Sequence, residues 1–221
     1  MASKLGIFVG LMFLLMTAFA ARAGIIHETH EFDFPLSPNS ATLSFEQFDD
    51  HGGLCTLQSV TLYLEATEEA NVASENNSAI PGLVTLQLTG FLTGDGPAGL
   101  STTVLMSVTE GPVSLDPSDG ETGSGPDFHD FGLLTESGSD SHILTTGLGP
   151  FIGTGFIDIE IFGSGGFVLS GIADSRLTIA GFRAFGDATI TYEYQCIPEP
   201  ATLILLTAGG VGLILRRRRR C

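Results

Sequence analysis

Histidines and carboxylates near the N-terminus and in the middle of the chain suggest metal or catalytic chemistry, but their spacing does not support it. In His27-Glu28-Thr29-His30 the histidines are three positions apart, whereas the helix of zinc proteases needs His-Glu-x-x-His. We expect this stretch to be a solvated, charged N-terminal arm. His129 and His142 lie among acids and serines, which keeps a secreted hydrolase as an alternative, yet no Gly-x-Ser-x-Gly nucleophile motif occurs. We therefore predict a protein that is not an enzyme and has no catalytic residues.

An acidic cluster in the middle of the chain could bind hard cations, which prefer oxygen ligands. Its members are Asp116, Asp119, Glu121, Asp127 and Asp130. Their spacing does not fit the EF-hand loop, so we predict neither a defined metal site nor a cofactor and leave weak Ca²⁺ binding open.

The formal net charge is −16, and Arg176 and Arg183 are the only Lys or Arg residues between positions 24 and 195. This balance excludes nucleic acid as a partner, because phosphate binding needs a basic surface.

The chain has three cysteines: Cys55 lies in its body, Cys196 directly follows the body, and Cys221 is the last residue. In an oxidising compartment the first two could form a disulfide. Two free thiols remain the alternative, because the separation of the Cα atoms decides whether a bond can form.

Residues 1–23 have the composition of a secretory signal peptide. Lys4 is followed by the apolar run 5–19, and Ala21 and Ala23 then provide the small residues of an Ala-x-Ala cleavage site. We expect signal peptidase to cut between Ala23 and Gly24.

Residues 196–221 combine three features in a fixed order. Pro198, Glu199 and Pro200 come first, and the apolar run 201–215 follows. The third feature is a basic cluster: Arg216, Arg217, Arg218, Arg219 and Arg220. We predict a single transmembrane helix over 201–215, although 15 helical residues span only ~22 Å. The arginines can extend to the headgroups and would remain on the cytoplasmic side.

This C-terminal order resembles the PEP-CTERM sorting signal of Gram-negative bacteria. The resemblance implies export across the inner membrane, a membrane-held intermediate, and processing by an exosortase, an integral-membrane protease. It further implies delivery to the cell surface or outside the cell, together with exopolysaccharide. The body is similar to choice-of-anchor domains of type E, on features such as Phe45…Phe48-Asp49 and 188–194. That family brings no assigned catalytic residue.

The body, residues 24–195, alternates apolar and polar side chains with a period of two. Val60, Leu62 and Leu64 alternate with polar neighbours, and so do Ile157, Ile159 and Ile161. This period indicates half-buried antiparallel strands, and frequent Gly and Pro exclude long helices. We predict one antiparallel β-sandwich of eight to ten strands, with jelly-roll and immunoglobulin-like topologies both open. Shorter strands are expected at 42–48, 167–172 and 176–182. A long surface loop is expected over 111–141, interrupted by a short element at 128–134.

These patterns together predict an exported, non-enzymatic protein of the cell surface or extracellular matrix. Its expected partners are signal peptidase, an exosortase-type membrane protease, the membrane itself through the C-terminal helix, and exopolysaccharide. A calcium-dependent adhesin or a glycan-binding module is the alternative, although the chain lacks Trp, the best residue for stacking on sugars.

Overall fold

The alternating segments form eight β-strands in the computed structural model, which describes residues 22–197. The strands are β1 (Arg22–Pro35), β2 (Asn39–Glu46), β3 (Cys55–Asn76), β4 (Gly82–Asp95), β5 (Ser101–Leu115), β6 (Phe128–Leu144), β7 (Phe156–Ser170) and β8 (Ser175–Cys196). Two single 3₁₀ turns, Pro97–Gly99 and Gly149–Phe151, are the only helical elements in this range. Neither is long or apolar enough to cross a membrane, and the helix predicted over 201–215 lies outside the described residues.

The strands form two antiparallel four-stranded sheets, in the orders β1-β8-β3-β6 and β2-β7-β4-β5. The pairs are nested: β1 pairs with β8, β2 with β7, β3 with β6, and β4 with β5. Successive pairs alternate between the two sheets, as when one long two-stranded ribbon is wound around a barrel. This is the jelly-roll topology. The predicted β-sandwich is confirmed, and its strand order decides between the two topologies.

The inward faces of both sheets form the core. Val60, Leu62 and Leu64 of β3 are fully buried and belong to the same cluster as Ile159 and Ile161 of β7. A second, smaller cluster lies toward the end of β3, around Ala70, Val72, Leu86, Leu88 and Leu134. The period of two in each strand therefore corresponds to one buried and one outward face.

Three sequence-based expectations are corrected. The predicted loop over 111–141 is only 116–127, because β5 continues to Leu115 and β6 begins at Phe128. Separate short strands expected near 167–172 and 176–182 are parts of the longer β7 and β8. The stretch around His27 is not a solvated arm but part of β1, paired along its length with β8.

Candidate functional site

β8 leads the chain directly to the C-terminal segment. It lies inside its sheet, between β1 and β3, and its last residue, Cys196, is opposite Arg22 of β1 and Cys55 of β3. One residue later, the backbone N–H of Ile197 donates to the carbonyl of Leu54 at 2.9 Å. The chain is therefore held in place up to the residue before Pro198. We call this region, residues 54–55 and 194–197 with the start of β1, the C-terminal junction.

A disulfide joins Cys55 to Cys196, across a sequence separation of 141 residues. It links the first residue of β3 to the last residue of β8. A force applied to the segment after Cys196 would therefore be carried by a covalent bond to β3 and not by strand hydrogen bonds alone. A cross-link of this kind also restricts the unfolded chain, which stabilises the folded state. The structure thus brings together the two cysteines for which the sequence left both alternatives open.

Aromatic packing supports the junction from inside the sandwich. The ring of Phe48 lies 5.0 Å from that of Tyr194 and 6.2 Å from that of Tyr192. The hydroxyl of Tyr192 donates to the carbonyl of Glu46, at the end of β2, at 2.9 Å. Burial, with a smaller contribution from the charge of Glu28, raises the pKa of Tyr192 well above its ordinary value. This hydroxyl therefore stays protonated and ties β8 to the opposite sheet.

Two open clefts flank the disulfide, with volumes of about 530 and 600 Å³. His27 lines the first cleft, and its Nδ1 lies 2.8 Å from Oγ1 of Thr191. Glu28 lines it as well; one of its oxygens contacts His30 Nε2 and the other accepts the N–H of Glu46, both at 2.8 Å. These histidines thus make cross-strand and local contacts. Within residues 22–197, no group of three or more His, Cys, Asp or Glu side chains is placed to hold a metal ion.

The predicted signal-peptide site lies at the same junction. Arg22, Ala23 and Gly24 are the first residues of β1 and lie opposite Cys196, Gln195 and Tyr194, while Ala21 lies outside the described residues. Cleavage after Ala23 would leave β1 starting at Gly24, still paired with β8. The two ends of the described chain therefore leave the sandwich side by side.

The residues of the predicted sorting signal lie outside the described residues. These are Pro198, Glu199, Pro200 and Arg216, Arg217, Arg218, Arg219 and Arg220. The structure therefore describes what holds the signal and not the signal itself.

The structure does not bring the two histidines of the hydrolase alternative together. His129 and His142 lie near opposite ends of β6, thirteen residues apart, which corresponds to ~40 Å of strand. His129 packs edge-on against Phe131, whereas Nδ1 of His142 accepts the N–H of Ser101. The hydroxyl of Ser101 donates to Asp95 rather than to a histidine.

Sequence reasoning missed Glu68, which is fully buried in the interior of the sandwich. Neither carboxylate oxygen has a hydrogen-bond partner, and desolvation raises the pKa of Glu68 to about 7. The sequence pattern could have indicated this burial, because the period of two in β3 places Glu68 on the same face as Leu64 and Ala70.

Comparisons with known proteins locate a family match at the C-terminal end. Residues 197–220 match the model of the PEP-CTERM protein-sorting motif. No curated protein matches the chain.

Solved structures of infectious bursal disease virus align with this chain. Two are of infectious bursal disease virus, strains Gx and Gt, at 12% and 14% identity with TM-scores of 0.20 and 0.22. A third, the VP2 subviral particle of the same virus, has 14% identity and a TM-score of 0.22. Each alignment covers 90% of this chain, and the chain spans about half the length of these proteins, 49%, 50% and 49%. Scores this low carry no argument about function.

The motif begins at Ile197, the residue at which the hydrogen-bonded sandwich ends. This chain is therefore an exported protein with a β-sandwich body and a C-terminal PEP-CTERM sorting motif, the type of signal that an exosortase processes on the way to the cell surface.

Proposed function

We propose that the protein is a non-enzymatic component of the cell surface or extracellular matrix of a Gram-negative bacterium, associated with exopolysaccharide. In this proposal signal peptidase removes residues 1–23, and the C-terminal helix then holds the body at the inner membrane until an exosortase cuts near Pro198-Glu199-Pro200. The observation that carries the proposal is the boundary itself. The sorting motif starts at Ile197, directly after the disulfide-bonded Cys196.

The boundary favours proteolysis at one place. Pro198 and Pro200 have no backbone N–H and have fixed φ, so β8 cannot continue into the signal by ladder pairing. The disulfide and the Ile197–Leu54 hydrogen bond keep the end of β8 attached to its sheet. An enzyme at the membrane would thus meet the proline-containing signal directly beside a domain that resists unfolding.

The outward face of the β1-β8-β3-β6 sheet supports contact with polysaccharide. Hydroxyl side chains there are hydrogen-bonded in pairs across neighbouring strands, Thr29 with Thr189 and Thr67 with Ser137, each at 2.8 Å. Hydroxyl groups can both donate and accept, as sugar hydroxyls do. The strong negative charge of the body would repel anionic polymers unless cations bridge them, so neutral glycans are the favoured partners.

The sorting part of the proposal is tested by changing the signal without changing the fold. Glu199→Gln and deletion of 216–220 are compared with Glu110→Gln, a substitution at an exposed glutamate of β5. We expect the first two variants to accumulate in the inner membrane at the mass of the chain that retains its C-terminus. The control should reach the surface at the shorter, processed mass. Surface delivery of all three proteins at equal levels and equal mass would refute the proposed processing.

The polysaccharide part is tested with protein released from the cell surface and exopolysaccharide purified from the same strain. Titration calorimetry is expected to show binding heat, and the size distribution of the polymer should not change during prolonged incubation. Absence of heat would contradict the association. A fall in polymer length would contradict the non-enzymatic role.

A further inference from the structure

The loop 116–127, between β5 and β6, is fixed to the end of β3 by several hydrogen bonds. The side-chain amide of Asn76 donates to the carbonyl of Asp116 at 2.8 Å, and the N–H of Asn76 donates to the carbonyl of Asp127 at 2.9 Å. Gly123 N–H donates to Oε1 of Glu75 at 3.0 Å. Although its sequence is rich in Gly, Ser and Asp, this acidic loop therefore has a defined conformation.

Two carboxylates of the loop are each held by one oxygen. Oδ2 of Asp127 accepts the N–H of Asp119 at 3.1 Å, and Oδ1 of Asp119 accepts the N–H of Glu121 at 2.8 Å. These bonds orient both carboxylates and leave one oxygen of each directed elsewhere.

The two remaining oxygens converge over Gly125. A side-chain carbon at Gly125 would lie 3.0 Å from Oδ1 of Asp127 and would collide with Oδ2 of Asp119. Gly125 has a φ of +103°, so both its backbone conformation and this space require glycine.

Oδ1 of Asp127 is buried and has no hydrogen-bond partner, and the residue as a whole is 0% exposed. A buried carboxylate oxygen without a partner is costly, since its lost hydration is not replaced. Here it also lies near a second carboxylate oxygen. The nearest basic side chain along the ladder is Arg176, which lies opposite Glu75 rather than the two aspartates.

We infer that Asp119 and Asp127 form a divalent-cation site, and that its ligand is Ca²⁺. The ion would take Oδ2 of Asp119 and the unpartnered Oδ1 of Asp127, and backbone carbonyls and water would complete the six to eight oxygens that Ca²⁺ requires. Two carboxylates are a small ligand set, so the dissociation constant belongs in the range of extracellular modules, about 10⁻⁴–10⁻³ M. An exported protein would meet Ca²⁺ outside the cytoplasm, and the inference does not depend on the proposed matrix role.

The site lies at the end of β3 opposite the C-terminal junction, because Cys55 begins this 22-residue strand and Asn76 ends it. Bound Ca²⁺ would thus stabilise the end of the sandwich that lies away from the C-terminal junction, where the loop is hydrogen-bonded to Glu75 and Asn76.

The test measures thermal unfolding of the full chain in detergent, after chelation, with and without 10 mM CaCl₂. We expect Ca²⁺ to raise the melting temperature of the wild type by about 3 °C or more, from the mass-action stabilisation at ten or more dissociation constants. Asp119→Asn and Asp127→Asn should lose this rise. Asp174→Asn, an exposed acid at the same end whose carbonyl, not its side chain, bonds Asn77, should keep it.

Asp127→Asn provides a second readout. Its amide group can donate to Oδ2 of Asp119, which replaces two facing oxygens by a hydrogen bond. Without Ca²⁺ this variant should therefore melt above the wild type, and with Ca²⁺ the order should reverse. No rise in the wild type, or the same rise in all four proteins, would overturn the site. If Asp127→Asn fails to fold, Asp119→Asn gives the same decision, because Asp119 is exposed.

Discussion

Glu68 should make this protein less stable as the pH rises from 4.5 to 7, which is the reverse of what an ion-paired carboxylate does. The side chain is 0% exposed and lies between the two core clusters, and its oxygens have no hydrogen-bond partner. Gly90 of the opposite sheet makes the space for it, because a side chain at Gly90 would overlap the carboxyl group. Across the ladder it faces Ala184 of β8 and Glu136 of β6. Arg183 pairs with Asp33 and Glu69 instead, and no cation within residues 22–197 forms an ion pair with Glu68.

The magnitude follows from the pKa of Glu68, which burial raises from 4.5 to about 7. The folded protein therefore binds more protons than the unfolded chain between these two values, and unfolding becomes easier as the pH rises through that window. A shift of about 2.5 units at ~1.36 kcal/mol per unit corresponds to a loss of about 3 kcal/mol. Below pH 4.5 both states are protonated and above pH 7 both are ionised, so the contribution is constant outside the window.

Glu68→Gln removes the titration and keeps the shape. We expect the variant to match the wild type near pH 4.5 and to exceed it by about 3 kcal/mol at pH 8, or by at least about 6 °C in melting temperature. The assay is guanidinium and thermal unfolding of the full chain in detergent at half-unit steps of pH, followed by circular dichroism. Glu65→Gln, on the outward face of the same strand, is the matched control and should leave the slope unchanged. Parallel pH profiles for wild type and Glu68→Gln would refute the reasoning.

Three further changes test the packing. Replacement of Cys55 and Cys196 by Ser should cost about 4–5 kcal/mol in guanidinium unfolding, since the disulfide spans a separation of 141 residues. Gly90→Ala should destabilise the fold by about 1 kcal/mol or more, because its methyl group would displace the carboxyl of Glu68; thermal unfolding measures this loss. Phe45→Ala removes a fully buried ring and should cost ~3–5 kcal/mol in guanidinium unfolding.

Each of these changes has a control. The double Ser variant should be as stable as the reduced wild type, and a large difference between them would contradict the assignment of the loss to the disulfide. The effect of Gly90→Ala should shrink in a Glu68→Ala background, since the collision disappears; equal losses in both backgrounds would speak against that contact. Phe156→Ala, at a ring that is 66% exposed, should change stability little, and a cost like that of Phe45→Ala would count against burial as the cause.

The period of two was enough to locate most strands, because each strand has one buried and one outward face. Val60, Leu62 and Leu64 were assigned correctly for this reason. The ends of strands were less predictable. Gly111-Pro112 reads as a turn, yet β5 runs through it to Leu115, because hydrogen bonds to β4 on both sides of a register shift carry the ladder past it.

The candidate sites also differ in whether the sequence alone could reveal them. The sorting motif is a contiguous signal, so the residues from Pro198 to Arg220 could be recognised without any fold. The orientation of Asp119 and Asp127 could not be, because it depends on backbone N–H groups of the loop and on the space left by Gly125. For Glu68 the face was readable from the strand period, but its isolation from any partner depends on which residues the opposite sheet places above it.

The amino-acid sequence by itself determined that this protein is exported, that it carries a sorting signal at its C-terminus, and that its body is an antiparallel β-structure. Those properties depend on local composition and on a short period. Only the tertiary structure decided the jelly-roll order, the disulfide, the buried Glu68 and the paired aspartates. Each of them requires residues far apart in the chain to meet, as Cys55 and Cys196 do. Such meetings depend on long-range strand pairing, which no local pattern of side chains encodes.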